Sequence, residues 1–204
     1  MKSPWRWRLL LGVLLAGGVL ALRPAPSAKR VPAPQAAMTG ELSARSLYRL
    51  DSSFETDLKR PLELRELRGS FQVLALIFTR CPTVCPTLVR EMQALERAMP
   101  SDVHAATRFT LVSIDPAHDS PEALHAYRAK LGLSPEHWTL LRAEPDTVRE
   151  LSALLGFSFA SGSDAPLAHS KQVTVLNRQG EIIHQQESVG ADPEKIIATI
   201  LSAL

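Results

Sequence analysis

Long apolar runs, basic stripes and cysteines are all scarce in this chain, and each shortage closes a route. No uncharged apolar run reaches the ~20 residues that a perpendicular membrane-spanning helix needs. The run that comes nearest, Leu9 to Leu22, has 14. No stripe of Lys and Arg with interleaved aromatics is present, which argues against nucleic acid as a partner, and a formal net charge of +2 names no partner. No internal repeat is visible. Only two residues are cysteine, Cys81 and Cys85, and neither lies near the N-terminal apolar run, which excludes lipoprotein anchoring there. What is present, 204 residues with 45% apolar content, fits one ordinary domain plus an appendage.

The appendage is expected at the front. Lys2, Arg6 and Arg8 precede the apolar run, which stops at Arg23. A positive segment followed by an apolar one is the pattern of an export signal. Two outcomes stay open for residues 1–22: a signal peptide cleaved after Ala21, or an uncleaved signal-anchor with Trp5 and Trp7 at the membrane interface. Residues 23–40 carry Pro24, Pro26, Pro32 and Pro34 among Ala, Ser and basic residues, a composition that gives an extended, semi-rigid spacer. Residues 41–204 are then the folded domain. Export would place it on the periplasmic face of the cytoplasmic membrane, anchored or released, where two cysteines sit oxidised unless something reduces them.

Within the domain, Leu47 to Leu50 is expected as a short strand, Phe54 to Arg60 as a turn, and Leu62 to Leu64 as the start of a second strand. Phe71 to Phe78 is nearly continuous apolar sequence and suits a strand covered on both faces. Leu88, Met92, Leu95 and Met99 recur at helical spacing until Pro100. Phe109 to Ile114 reads as the next strand, and Ser120-Pro121 opens a helix with Ser120 as N-cap and Pro121 at the first position. A short strand over Trp138 to Leu141 and a helix over Pro145 to Leu155 follow. The strand Gln172 to Leu176 turns through Asn177 to Gly180 into Glu181 to Gln186, and a helix capped by Asp192 closes the chain. Alternation of this kind predicts an α/β fold of βαβ units: three layers around a central mixed sheet, edged by a C-terminal β-hairpin. A strand running into two cysteines and then a helix is thioredoxin-like architecture.

The chemistry centres on F-T-R-C-P-T-V-C-P, Phe78 to Pro86. Cys81 and Cys85 are four positions apart, one helical turn. Thiols so placed can close a disulfide, hold a soft metal or pack as a structural pair. If the helix starts between Pro82 and Cys85, its N-terminus favours thiolate over thiol, and Arg80 adds positive charge. Two thiolates make a Cu(I) site, which an imidazole would complete. His104, expected in a polar connector, and His125, His137 and His184 read as structural or exposed. His118 lies in a turn at a strand end. His169 ends a Gly/Ser-rich loop just before the strand near Gln172, and position alone leaves it open between ligand and loop residue.

The Cys motif, then S-I-D-P-A-H-D-S-P-E-A-L-H-A-Y (Ser113 to Tyr127), then His169-Ser170, resembles the Sco/SenC family over about Leu47 to the C-terminus. These are membrane-tethered or exported copper-binding proteins of thioredoxin-like fold, implicated in assembling the dinuclear copper centre of cytochrome c oxidase. The resemblance implies copper, as Cu(I) or Cu(II), held by Cys81, Cys85 and His169. It implies as partners a copper-accepting subunit of a membrane oxidase, with another copper carrier or a thiol reductant upstream. The chain departs from the family in two places. Thr83 stands where an Asp is common between the cysteines, and Ala168 where an Asp commonly precedes the histidine; both changes make the site less acidic.

Two functions follow from the resemblance. One is a copper metallochaperone using all three ligands. The other is a thiol–disulfide oxidoreductase that reduces the cysteines of an oxidase subunit, with Cys81 and Cys85 as its redox pair and no need of His169. A peroxidase of the same fold wants Thr three residues before its cysteine, and neither Cys81 nor Cys85 has it. Asp115, His118 and Asp119 read as structural support near the site.

Overall fold

A computed structural model of the protein describes residues 41–157, 171–190 and 192–204. The export segment and spacer expected over 1–40, and the loop with Ala168 and His169, lie outside the described residues. No helix among the described residues is long and apolar enough to cross a membrane.

Seven strands form one sheet in the order β2-β1-β5-β4-β3-β6-β7. They are β1 (Ser53–Thr56), β2 (Pro61–Glu63), β3 (Phe71–Ile77), β4 (Thr107–Ser113), β5 (Trp138–Ala143), β6 (Val173–Leu176) and β7 (Ile182–Gln186). The helices are α1 (Val84–Ala98), α2 (Ser101–Ala106), α3 (Pro121–Leu131), α4 (Pro145–Leu154) and α5 (Pro193–Ser202). β3, β4 and β5 run parallel. β6 joins β3 antiparallel, with Ala75 opposite Val173 and Gln72 opposite Leu176. β7 then pairs with β6 as the expected hairpin.

Every residue of β3 is buried, because both faces of the sheet are covered. Phe71, Val73, Ala75 and Ile77 point into a core shared with Leu88, Val89, Met92 and Leu95 of α1, Leu124 of α3 and Ile196 and Ile200 of α5. Leu74 and Leu76 point the other way, onto Val148 and Leu151 of α4 and onto Leu47 and Tyr48. The alternation within one apolar run is the two-residue period of a strand. The two clusters make the three layers. Each fully buried leucine of α1 contributes on the order of 2 kcal/mol by leaving water, so α1 is fixed against the sheet along its whole length.

Three local expectations are corrected. Leu47 to Leu50 is not a strand: Leu47–Arg49 is a 3-10 turn whose Tyr48 N–H is capped by the Ser46 hydroxyl, so a local side-chain bond outcompetes sheet pairing. Phe54 to Arg60 is not all turn: its first part belongs to β1, which pairs antiparallel with both β2 and β5 and gives the sheet a second antiparallel edge. The polar residues there misled because Phe54 is the one buried apolar side chain of the segment, at 1% exposure, while the other buried residues, Thr56 and Asp57, are polar. His104 does not lie in a connector but in α2. The helix signals at Ser120 hold as expected: its hydroxyl accepts from the Ala123 N–H, and Gly132 closes α3 at φ 66°, a left-handed conformation that glycine adopts without a Cβ penalty.

Candidate metal centre

β3 ends at Ile77, and residues 78–83 turn into α1. Pro82 therefore precedes the helix instead of opening it, and Thr83 is the N-cap position, with no bond from its own hydroxyl to the helix start. The missing cap is supplied by sulfur. Cys81 Sγ accepts the backbone N–H of Cys85 at 3.3 Å, satisfying one of the donors that every helix leaves unpaired in its first turn. Pro86, also in that turn, has no N–H to satisfy. Both cysteines are thiols and both are buried, Cys81 at 6% and Cys85 at 0% exposure.

The two thiols differ in acidity. Burial pushes Cys81 up, but bonds from the Cys85 N–H, the Cys85 thiol and the N–H groups of Thr83 and Val84 outweigh it, and the net shift is down. Cys85 is pushed well up, first by burial and then by the Cys81 sulfur and the charge of Asp119, against a lowering bond with the Phe78 backbone. The pair thus offers one thiol that ionises more easily than an ordinary cysteine beside one that ionises less easily, in a turn held at a helix N-terminus.

Asp119 holds the turn in place. Fully buried, it accepts the Thr79 N–H at 3.1 Å, the Thr79 hydroxyl at 2.5 Å and the Ser113 hydroxyl at 2.5 Å. One carboxylate thereby clamps the end of β3 to the end of β4, two parallel neighbours. Asp115 makes the adjacent contacts: it accepts from Arg80 Nη2 at 2.8 Å and pairs with His118 Nδ1 at 2.7 Å. Burial pushes the Asp115 carboxyl up, but His118 and Arg80 outweigh it and hold it below the ordinary range. Arg80 is therefore committed to Asp115, beside His118 Nδ1 at 2.9 Å on the same carboxylate, and not directed at the sulfurs. Tyr127, on α3, brings its hydroxyl near the pair. It is buried with no hydrogen-bond partner among the described residues, and its acidity is suppressed first by burial, then by Cys85, Cys81 and Asp119.

Of the residues expected at the site, Cys81 and Cys85 come together, with Asp115, His118 and Asp119 beside them as support. His169 lies outside the described residues. His125 is elsewhere, 3.4 Å from Asp57, and His184 bonds Gln186 on β7. The organising role of Asp119 was legible only as a residue before a helix cap; its contacts with Thr79 and Ser113 depend on strand neighbourhood.

Comparison with known proteins gives a consistent picture. The sequence pattern of the family described as SCO1/SenC matches residues 45–204. A Stutzerimonas stutzeri protein named as a suspected copper-binding protein is 27% identical over 127 residues, 60% of this chain and 61% of that one; the chain thus spans about three fifths of that relative's length. Among solved structures, Arabidopsis thaliana ScoI with copper bound superposes with a TM-score of 0.66 at 17% identity, covering 74% of this chain and 96% of that one. BsSco, a Sco-family cytochrome c oxidase assembly protein with an identified disulfide switch, gives 0.64 at 22% identity, over 74% and 90% of the two chains. At these identities the structural likeness is one of fold, and it is the thioredoxin-like fold expected from the order of elements.

Proposed function

The chain belongs to the SCO1/SenC family, and from that premise we propose that it is a copper metallochaperone. In this reading Cys81, Cys85 and His169 bind one copper ion and deliver it to a copper-accepting subunit of a membrane oxidase, for the copper centre of cytochrome c oxidase. The observation that carries the reading is the sulfur pair: two thiols in one turn, one of them with a lowered pKa, at the start of a helix. Soft thiolates suit Cu(I), and a thiolate already favoured at Cys81 lowers the proton cost of loading. The register supports His169 as third ligand. β6 starts opposite Ala75 of β3, so the chain reaches β6 at the sheet end where β3 delivers the cysteines. His169 is two residues from Lys171 in sequence, a span of at most about 7 Å. The copper bound by ScoI is the cargo this reading assigns here.

The test is titration of the reduced protein with Cu(I) against a competing chelator, repeated with His169→Ala. Affinity is expected to fall at least about tenfold, ~1.4 kcal/mol, at unchanged fold. An unaltered affinity and stoichiometry would remove His169 from the site.

A second reading, a thiol–disulfide oxidoreductase acting on the cysteines of an oxidase subunit, is favoured by the unequal acidities. The Cys81 thiolate is suited to attack a substrate disulfide, and the Cys85 thiol to resolve the mixed disulfide. The His169→Ala protein discriminates: if it still reduces a disulfide acceptor to its dithiol at full rate, with Cys81 and Cys85 becoming oxidised to their disulfide, reduction does not use the third ligand. The two roles are compatible, since a Cys81–Cys85 disulfide binds no copper. In either case residues 1–22 serve as signal peptide or anchor and residues 23–40 as spacer, with the 41–204 domain on the periplasmic face of the cytoplasmic membrane, released if the segment is cleaved and anchored if it is not.

A further inference from the structure

The far end of α1 gathers three residues that the chemistry above does not use. Glu96 lies in the last turn of α1, His104 in α2 and His137 just before β5. One ligand-capable atom from each lies within 4.8 Å of the others. Glu96 is eleven residues beyond Cys85, which at about 1.5 Å per residue puts it roughly 16 Å along the helix from the sulfur pair. The cluster therefore sits at the sheet end where β4 and β5 begin, opposite the candidate copper site.

Its members are already oriented. The Trp138 indole N–H donates to Glu96 Oε2 at 2.8 Å, and that indole is buried and stacked on Phe109 with ring centroids 4.6 Å apart. The other carboxylate oxygen, Oε1, lies 3.6 Å from His104 Nε2. The His104 and His137 rings pack with centroids 4.2 Å apart. Nδ1 of His137 is buried with no hydrogen-bond partner among the described residues, which a native structure normally avoids. The nearby cation Arg108 does not neutralise the carboxylate, because it donates to the carbonyls of Ala105 and Thr107 at 3.1 and 2.7 Å.

We infer that Glu96, His104 and His137 form a second metal site, for a divalent transition ion such as Zn(II), separate from the two cysteines. Two imidazoles and one carboxylate, with a fourth position left for water, are a donor set such ions accept. Donor atoms around a tetrahedral ion with bonds of about 2.0–2.2 Å lie roughly 3.3–3.5 Å apart. The cluster needs to contract by at most about 1.5 Å at its widest, within reach of a rotation of the half-buried His104 ring. The Trp138 bond to the outer oxygen of Glu96 is the kind of supporting contact that fixes a ligand's orientation. A bound ion would tie the end of α1, α2 and the start of β5 into one unit.

The experiment titrates Zn(II) into the full chain with Cys81 and Cys85 oxidised to their disulfide, which removes both thiolates as ligands. One Zn(II) per chain is expected, with a rise in the thermal midpoint. His104→Ala should weaken binding at least tenfold and abolish the zinc-dependent rise while leaving the zinc-free midpoint near that of the parent. Glu96→Gln, which retains an acceptor for Trp138, should lose binding likewise and serves if the first variant folds poorly. His184→Ala, on β7, should bind as the parent does. Absence of zinc binding by the oxidised protein, or parental affinity in both His104→Ala and Glu96→Gln, overturns the inference and leaves Glu96 and His104 as an ordinary ion pair.

Discussion

Asp57 and Asp119 are both buried, and the protein balances their charges in opposite ways. Asp57, in the turn after β1, receives Arg128 Nε at 2.6 Å and Nη2 at 2.8 Å, a two-pronged pair with matching geometry. Arg128 spends its remaining donors on the carbonyls of Leu133 and Trp138. Charge meets charge, and the result is a strut between α3 and the edge of the sheet. Asp119 instead is held by the backbone of Thr79 and by two hydroxyls, all neutral donors. Its charge is solvated but not cancelled, so its field reaches the neighbours: it adds to the burial that raises the pKa of Cys85 and of Tyr127. The lesson is that a buried carboxylate matched by a cation serves architecture, whereas one held by dipoles also sets the protonation of the site beside it.

The sharpest way to break the comparison is to strand Asp57. Arg128→Met leaves a buried carboxylate without its cation and is expected to cost about 3–5 kcal/mol, read as a lowered urea midpoint. Copper stoichiometry of the molecules that stay folded should not change. A variant that loses copper as readily as it loses stability would show that the two aspartates are not separable.

The matching change at Asp119 is smaller in stability and larger at the site. Asp119→Asn keeps the shape but removes the charge and one acceptor, at a cost of roughly 1–3 kcal/mol. With the negative charge gone, the Cys85 thiol should ionise at lower pH, followed by thiolate ultraviolet absorbance. An unmoved titration would mean that burial and the Cys81 sulfur set Cys85 without Asp119.

The mildest probe is pH itself, comparing reduced with disulfide-bonded protein. Cys81 is depressed in the folded state, so it contributes stability present above the ordinary thiol value and lost as pH falls through its folded value. Cys85 is raised, so its contribution is present below the ordinary value and lost as pH rises toward its folded one. The stability of the reduced protein, measured relative to the oxidised one, should therefore peak near the ordinary thiol value of about 8.5 and decline on both sides. A difference that is flat across that range would contradict the unequal acidities.

Much of the domain was legible in the sequence because its signals are local. The apolar run of β3, the helical spacing from Leu88 to Met99, and the Ser120-Pro121 start of α3 each reflect a periodicity or a cap within a few residues. The early segment was misread for the complementary reason. Leu47–Arg49 is turned by a Ser46 hydroxyl and by the Leu47 N–H bonding the carbonyl of Gly180, and β1 exists because β5 offers it an edge. Gly180 and β5 are both far away in sequence, and only the Ser46 bond is local. At the site, the paired cysteines and a helix start between Pro82 and Cys85 were visible, and α1 begins within that range at Val84; what was not visible is that a sulfur, and not a hydroxyl, caps it.

The sequence by itself determined the order of elements, the pairing of Cys81 with Cys85 on one turn and the family to which the chain belongs, all of which reside in spacings a few residues long. Only the tertiary structure decided which aspartate faces an arginine and which faces hydroxyls, and hence which thiol ionises first. It also brought Glu96, His104 and His137 together from the end of one helix, a second helix and the approach to a strand. Hydrogen bonds and Coulomb interactions act through space over a few ångströms, so residues 40 positions apart become neighbours only when parallel strands lay their ends side by side.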